Sequence, residues 1–222
     1  MDQNVILVET VPLEFDLESL GCRLRIRPGQ TKFMDRLSRL AEEAVRVARP
    51  KAVARLCGLT ILDEENVQVG EVTFSSPLLR QKMDGLGRAF PYLASEGTEL
   101  ADWSLSLSSS LEQVFASALR EVAVQQAENL LERTLLERYG IAQVSAMNPG
   151  SLKVWSLEEQ VPLFELLAPL PEKLGVTLLP SLMMRPEYSV SGVFFQTDSK
   201  FYNCQLCPKK ECPNRRIPSL VT

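Results

Sequence analysis

Ser110-Leu-Glu-Gln-Val-Phe-Ala-Ser-Ala-Leu-Arg-Glu-Val-Ala-Val-Gln-Gln-Ala-Glu-Asn-Leu-Leu-Glu-Arg-Thr-Leu-Leu-Glu-Arg-Tyr-Gly140 is the stretch around which the fold must be built. Leu111, Val114, Phe115, Ala118, Leu119, Val122 and Ala123, then Leu130, Leu131 and Leu135, recur at helical spacing. Ser110-Leu-Glu-Gln113 has the form of a capping box, and Gly140 can end the helix with left-handed backbone. Arg133 and Arg138 suit its negative end. The pattern predicts a long central core helix over 110–140.

Working towards the N-terminus, a strand is expected near Ala89 to Ala94, with Pro91 suggesting an edge or a bulge. Ser76-Pro77 reads as N-cap and first position of a short helix ending near Gly85, and a further helical piece is expected near Leu100. Val53 to Leu62 and Val67 to Phe74 look like two strands of a hairpin across Asp63-Glu64-Glu65-Asn66. Phe33, Met34, Leu37, Leu40, Ala41, Ala44, Val45 and Ala48 place a helix from about Thr31 to the stop at Pro50. Residues 4–30 read as irregular or strand-like, closed by the turn Arg27-Pro28-Gly29. Towards the C-terminus come a loop at Asn148-Pro149-Gly150, a short helix after Ser156 whose start Pro162 should delay or kink, and strands at Val176 to Leu179 and Tyr188 to Gln196.

Composition narrows the function. The 222 residues carry a formal charge of −4 and a pI near 5.2, which argues against nucleic acid as a partner. No stretch approaches the roughly 18 apolar residues of a membrane span, and the first residues lack a basic leader, so a cytoplasmic protein with no membrane partner is expected. The chain has no histidine, which excludes Ser-His-Asp and Cys-His catalysis and any Cys/His zinc site completed from within it.

Its five cysteines are unevenly placed: Cys22 and Cys57 stand alone, whereas Cys204, Cys207 and Cys212 fall in Cys-Gln-Leu-Cys-Pro-Lys-Lys-Glu-Cys-Pro. Three thiols at this spacing, punctuated by Pro208 and Pro213, can converge on one point. Lys200, Lys209, Lys210, Arg215 and Arg216 against Asp198 and Glu211 leave a local charge of +3, which favours thiolates. Three readings fit: a 4Fe-4S cluster, with Cys22 or Cys57 as a possible fourth ligand; zinc; or thiols without metal. Elsewhere, Asn148-Pro149-Gly150-Ser151 is a turn that permits close backbone approach, although taken alone it is better explained as a structural turn between a helix and the next element. Ser189, Ser191 and Gly192 lie on a half-buried strand and leave room for something to pack, with core packing as the default reading.

The order Asn148-Pro-Gly-Ser-Leu-Lys-Val-Trp-Ser-Leu-Glu-Glu-Gln160, Pro162-Leu-Phe-Glu-Leu-Leu167, Leu174-Gly-Val-Thr-Leu178, Met183-Met-Arg-Pro186 and Tyr188-Ser-Val-Ser-Gly-Val193 resembles the activation domain of cobalamin-dependent methionine synthase, in particular its stand-alone anaerobic relatives. The resemblance is best over 140–196 and extends as element order over 35–139. It implies an α+β fold with a bent antiparallel sheet and packed helices, expected over residues 1–196; the cysteine-rich tail over 197–222, read as metal-binding from its own spacing, is extra to that domain. It further implies a role in reducing and remethylating cob(II)alamin on a corrinoid-binding methyltransferase that presents the corrinoid.

The family's ligand loop, Arg-x-x-x-Gly-Tyr, binds S-adenosylmethionine. Here Ala146, Gly150 and Ser151 stand at those positions, so only the glycine is kept and weak or absent binding of that ligand is expected. Asn148, Pro149, Gly150 and Ser151 are then the candidate cofactor-facing residues. Cys204, Cys207 and Cys212 are the candidate metal ligands, served by an electron donor such as ferredoxin or flavodoxin. The alternative is an assembly module, zinc-bound or metal-free, that caps or recruits a corrinoid methyltransferase.

Overall fold

The computed structural model describes residues 3–208 and 217–218. A chain run from 51 to 61 organises its sheet. β2 (Lys51–Arg55) and β3 (Cys57–Ile61) both lie antiparallel to β6 (Arg88–Ser95), with Ala54 opposite Tyr92 and Cys57 opposite Ala89. The register is the same on both sides of the break. The gap falls opposite Pro91, which has no N–H to give to a ladder.

At that break the outer edge forks. β1 (Val5–Val8) pairs with β2, and the Leu56 N–H bonds to the Asn4 carbonyl, whereas β3 turns through 62–65 into β4 (Asn66–Val69). β4 continues through a turn at Gly70, whose φ is +59°, into β5 (Val72–Ser75). On its other side β6 pairs with β10 (Ser189–Gln196), which pairs in turn with β7 (Val144–Met147). β8 (Thr177–Leu178) and β9 (Met184–Arg185) form a separate two-stranded ribbon.

Helices cover both faces of β6. Phe90, Tyr92 and Ala94 face Ala127, Leu131 and Leu135 of α5 (Ser110–Tyr139), while Ala89 and Leu93 point into the opposite core with Leu163, Leu166 and Trp155. That opposite core is closed by α3 (Pro77–Lys82), α6 (Gln160–Leu167) and α7 (Leu170–Leu174). At 30 residues α5 is about 45 Å long, more than the sheet needs. Its first half therefore builds an all-helical core: Phe115, Leu119 and Ala123 pack with Leu20 of α1 (Leu17–Arg23), Leu37 and Leu40 of α2 (Thr31–Val47), and Leu100 of α4 (Thr98–Ser106).

Several sequence expectations change. Pro91 lies in a central strand, not at an edge, and is accommodated because the neighbouring strand breaks there. The two long strands expected at 53–62 and 67–74 are each divided, at Leu56 and at the Gly70 turn. Ser109, not Ser110, is the N-cap of α5 and caps with no side-chain hydrogen bond; Gln113 Nε2 instead donates to the Leu107 carbonyl at 2.9 Å. Phe33, Val45 and Val114 are exposed despite their helical spacing. α1, β7 and α7 are absent from the sequence reading because each is short and lacks a full period. Pro162 falls in the first turn of α6, after a 3-10 turn at Leu157–Glu159, where a missing N–H costs little.

Candidate functional site

β7 delivers the chain into the loop that begins at Asn148. Gly150 N–H donates to the Trp155 carbonyl at 2.9 Å and Ser151 N–H to the Asn148 carbonyl at 3.2 Å, closing the loop on itself. Trp155 anchors it, with no exposed surface and an edge-to-face contact to Phe74 at 5.8 Å between ring centres. Gly150 has φ +77°, and a Cβ there would stand 2.7 Å from Leu157 Cδ1, so this glycine is required by the turn. Pro149 is buried beneath the loop, while Gly150 and Ser151 are exposed.

Asn148 points the other way, across the sheet. Its Nδ2 donates to the Tyr92 hydroxyl and to the Ser191 carbonyl, both at 2.8 Å, and the Tyr92 hydroxyl donates to Glu128 Oε1 at 2.7 Å. Gly192 lies directly beneath: a Cβ there would meet the Met147 carbonyl at 2.4 Å and Asn148 Nδ2 at 2.6 Å. The small residues of β10 therefore do not leave an open surface. Asn148 fills the space over Gly192, Ser191 Oγ donates to Gln160 Oε1 at 2.8 Å, and Ser189 Oγ bonds Ser95 Oγ at 3.0 Å.

The segment after β10 folds back over this corner. Phe201 is buried in the core, with its N–H donating to Ser145 Oγ at 2.7 Å and Lys82 Nζ 4.8 Å above its ring. Lys200 pairs with Glu132 of α5. Asn203 Nδ2 then donates to Asn148 Oδ1 at 3.0 Å, within a 3-10 turn (Asn203–Gln205) that carries Cys204. The turn closes as Cys207 N–H approaches the Cys204 carbonyl at 3.4 Å, and Leu206 and Cys207 pack against the core.

Together these elements enclose a recess of about 230 Å³ between α5, β7, β10 and the returning segment. Ala146, Val190 and Phe194 form its apolar side, with Tyr92 stacked on Phe194 at 3.9 Å. Glu128, Glu132, Asn148, Lys200, Asn203 and Cys204 supply its polar groups. Asn148 and Cys204, from the two candidate sets, thus line the same recess. Glu128, Lys200 and Asn203 carry no motif of their own; the one signal available for Lys200 was its place among the cations near the cysteines.

For a metal, Cys204 and Cys207 flank one tight turn, the arrangement a two-thiolate knuckle requires. Cys212 lies outside the described residues, and among those described no cluster of three or more Cys, Asp or Glu side chains converges. Cys57 is buried against Gly70, and burial pushes its thiol up to about 11. Cys22 is exposed on α1. Neither lines the recess.

No helix among the described residues is long and apolar enough to cross a membrane. No protein-family model and no curated protein matches this chain. Among solved structures the chain is similar to the MetH reactivation domain bound to AdoHcy, with a TM-score of 0.61 and 17% sequence identity over 89% of this chain and 80% of that one. At that identity the likeness carries the fold, and the chain has the mixed α+β architecture, antiparallel sheet and packed helices, of the MetH reactivation domain.

Proposed function

We propose that this chain is an activation subunit for a corrinoid-dependent methyltransferase, docking on the partner that presents the corrinoid and supporting reduction of cob(II)alamin. The fold it shares with the MetH reactivation domain supports the reading. The observation that carries it is the Asn203–Asn148 hydrogen bond, which seats the Cys204 turn against the loop that would face the corrinoid. In this reading residues 1–196 are the docking domain and 197–222 a metal-binding tail, in which Cys204, Cys207 and Cys212 hold a 4Fe-4S cluster. A bound cluster would supply a one-electron carrier, fed by a donor such as ferredoxin or flavodoxin. The chain's own residues position it: Phe201 anchors the tail in the core, and the Lys200–Glu132 pair fixes its approach.

Anaerobic purification followed by metal analysis and absorption spectroscopy tests the cluster. Iron with a broad band near about 400 nm, lost in Cys207→Ser, is expected; neither iron nor zinc removes the site. Docking is tested by Ser151→Trp, since Ser151 is exposed and free of the backbone constraint at Gly150. That variant should lose reactivation of the partner while melting normally.

One feature favours the assembly module as a second reading. Asn148 is already committed to Tyr92, Ser191 and Asn203, which leaves it with no unused amide hydrogen for a cofactor. Zinc in place of iron, with partner binding retained and no reduction of cob(II)alamin, would select that reading. A cytoplasmic location accompanies both.

A further inference from the structure

The charges of this acidic chain are segregated. Between Arg23 and Lys51 lie nine Lys and Arg residues against Asp35, Glu42 and Glu43, in a chain whose formal net charge is −4. The segment runs from the last residue of α1 through the turn after it and α2 to the first residue of β2. Leu37, Leu40, Ala41 and Ala44 of α2 are buried against α4 and α5, so its opposite side faces solvent. Lys32, Arg36, Arg39, Glu43 and Arg46 follow one another at three- or four-residue steps and form a single line along that side.

Arg36 and Arg39 both donate to Glu112 at 2.8 Å, and Arg23 pairs with Glu121. Arg25, Arg27, Lys32 and Arg46 are exposed, and no carboxylate pairs with any of them among the described residues. Arg49, also exposed, donates only to the carbonyls of Arg46 and Ala48. The backbone gives a second, independent sign. Arg25 holds φ +56° just past the end of α1, where its N–H bonds the Cys22 carbonyl. That is the left-handed capping position where glycine fits without steric cost. An arginine stands there against local preference, exposed in the turn that leads into α2.

We infer that the exposed face of α2 and the turn preceding it, from Arg25 to Arg46, is a docking surface for an acidic protein. Charge complementarity selects the partner class. Membrane insertion does not suit it, because the apolar side of α2 is already used in the core. A phosphate backbone suits it poorly, because Asp35, Glu42 and Glu43 interrupt the cations, whereas a folded acidic surface can set its own cations opposite them. Along α5, Glu112 at this face and Glu128 at the recess are 16 residues and about 24 Å apart. The inference does not depend on the function proposed above.

Fluorescence anisotropy at low salt with a poly-glutamate of about 20 residues, beside an oligothymidylate of equal length, tests it. The Lys32→Glu/Arg46→Glu variant should bind poly-glutamate about tenfold more weakly with an unchanged melting temperature. Lys173→Glu, the same change of charge per site on α7, should shift binding less than about twofold. Arg25→Gly separates docking from folding: it should weaken binding yet raise the melting temperature, because glycine relieves the backbone. Unaltered binding in the double variant, tighter binding of the oligothymidylate, or an Arg25→Gly protein that melts lower and binds normally would each overturn the proposal.

Discussion

Gly192 lies so close beneath Asn148 that a Cβ at position 192 would stand 2.6 Å from Asn148 Nδ2, with the Met147 carbonyl nearer still at 2.4 Å. The backbone carbonyl cannot swing aside, since Val193 pairs with Met147 in the β7–β10 ladder. Gly192→Ala should therefore destabilise the domain by about 1–3 kcal/mol, as overpacking a tight site does. Denaturant unfolding measures it. A loss below about 0.5 kcal/mol would mean that the Met147 carbonyl and Asn148 both give way.

This contact shows where the sequence speaks and where it is silent. α5 and α2 were legible because their apolar periods run through several turns, and Gly140 and Pro50 mark their ends. The Asn148 loop was also legible, as a stretch of turn chemistry. Its orientation was not: whether small residues on β10 form an open platform or a slot filled by the chain's own asparagine depends on contacts between residues 148 and 192, and no local period records that. The same holds for the cysteine tail. Phe201 reads as one aromatic in a polar stretch, yet it is 6% exposed and fixes the tail to the core.

Glu96 and Arg120 form a buried bidentate pair at 2.6 and 2.7 Å, and the Tyr188 N–H also donates to Glu96. Burial raises the Glu96 carboxyl above its usual value against the pull of Arg120. Arg120→Leu strands a fully buried carboxylate and should cost about 3–5 kcal/mol at neutral pH. Glu96 is then raised further, so the folded state holds its proton over a wider range than the unfolded chain. Stability of the variant should be greatest below the unfolded carboxylate value and fall as pH rises through the folded one. Unfolding curves from pH 4 to 8 check this; a deficit independent of pH would assign the loss to packing.

Glu159 offers the same sign in a milder form. Burial raises its carboxyl from the ordinary 4.5 and Glu158 adds to this, while the Ser75 N–H at 3.3 Å opposes it. Ionisation of Glu159 thus weakens the fold as pH climbs from about 4.5 through the raised folded value. Glu159→Gln keeps an oxygen for Ser75 and removes the charge. It should match the parent at pH 3.5 and exceed it at pH 7, by less than about 1 kcal/mol given partial solvent screening. A glutamine variant less stable at pH 7 would show that the charged form makes a favourable contact there.

Lys200 reaches the same recess as Ala146, the position at which the resemblance expects an arginine, but it is paired with Glu132. A cation already neutralised by a partner has little to offer a carboxylate ligand, so S-adenosylmethionine should bind the chain weakly, with a Kd above about 100 μM. A charged hydrogen bond is worth about 1.5–3 kcal/mol, or tenfold and more in affinity. Glu132→Gln releases Lys200 and should tighten binding about tenfold in titration calorimetry, and adding Lys200→Ala should cancel the gain. Micromolar binding by the unaltered chain would instead mean that another group, such as the Asn203 amide or a residue beyond 208, meets the ligand's carboxylate. No gain in Glu132→Gln would mean that the lysine points past the ligand once freed.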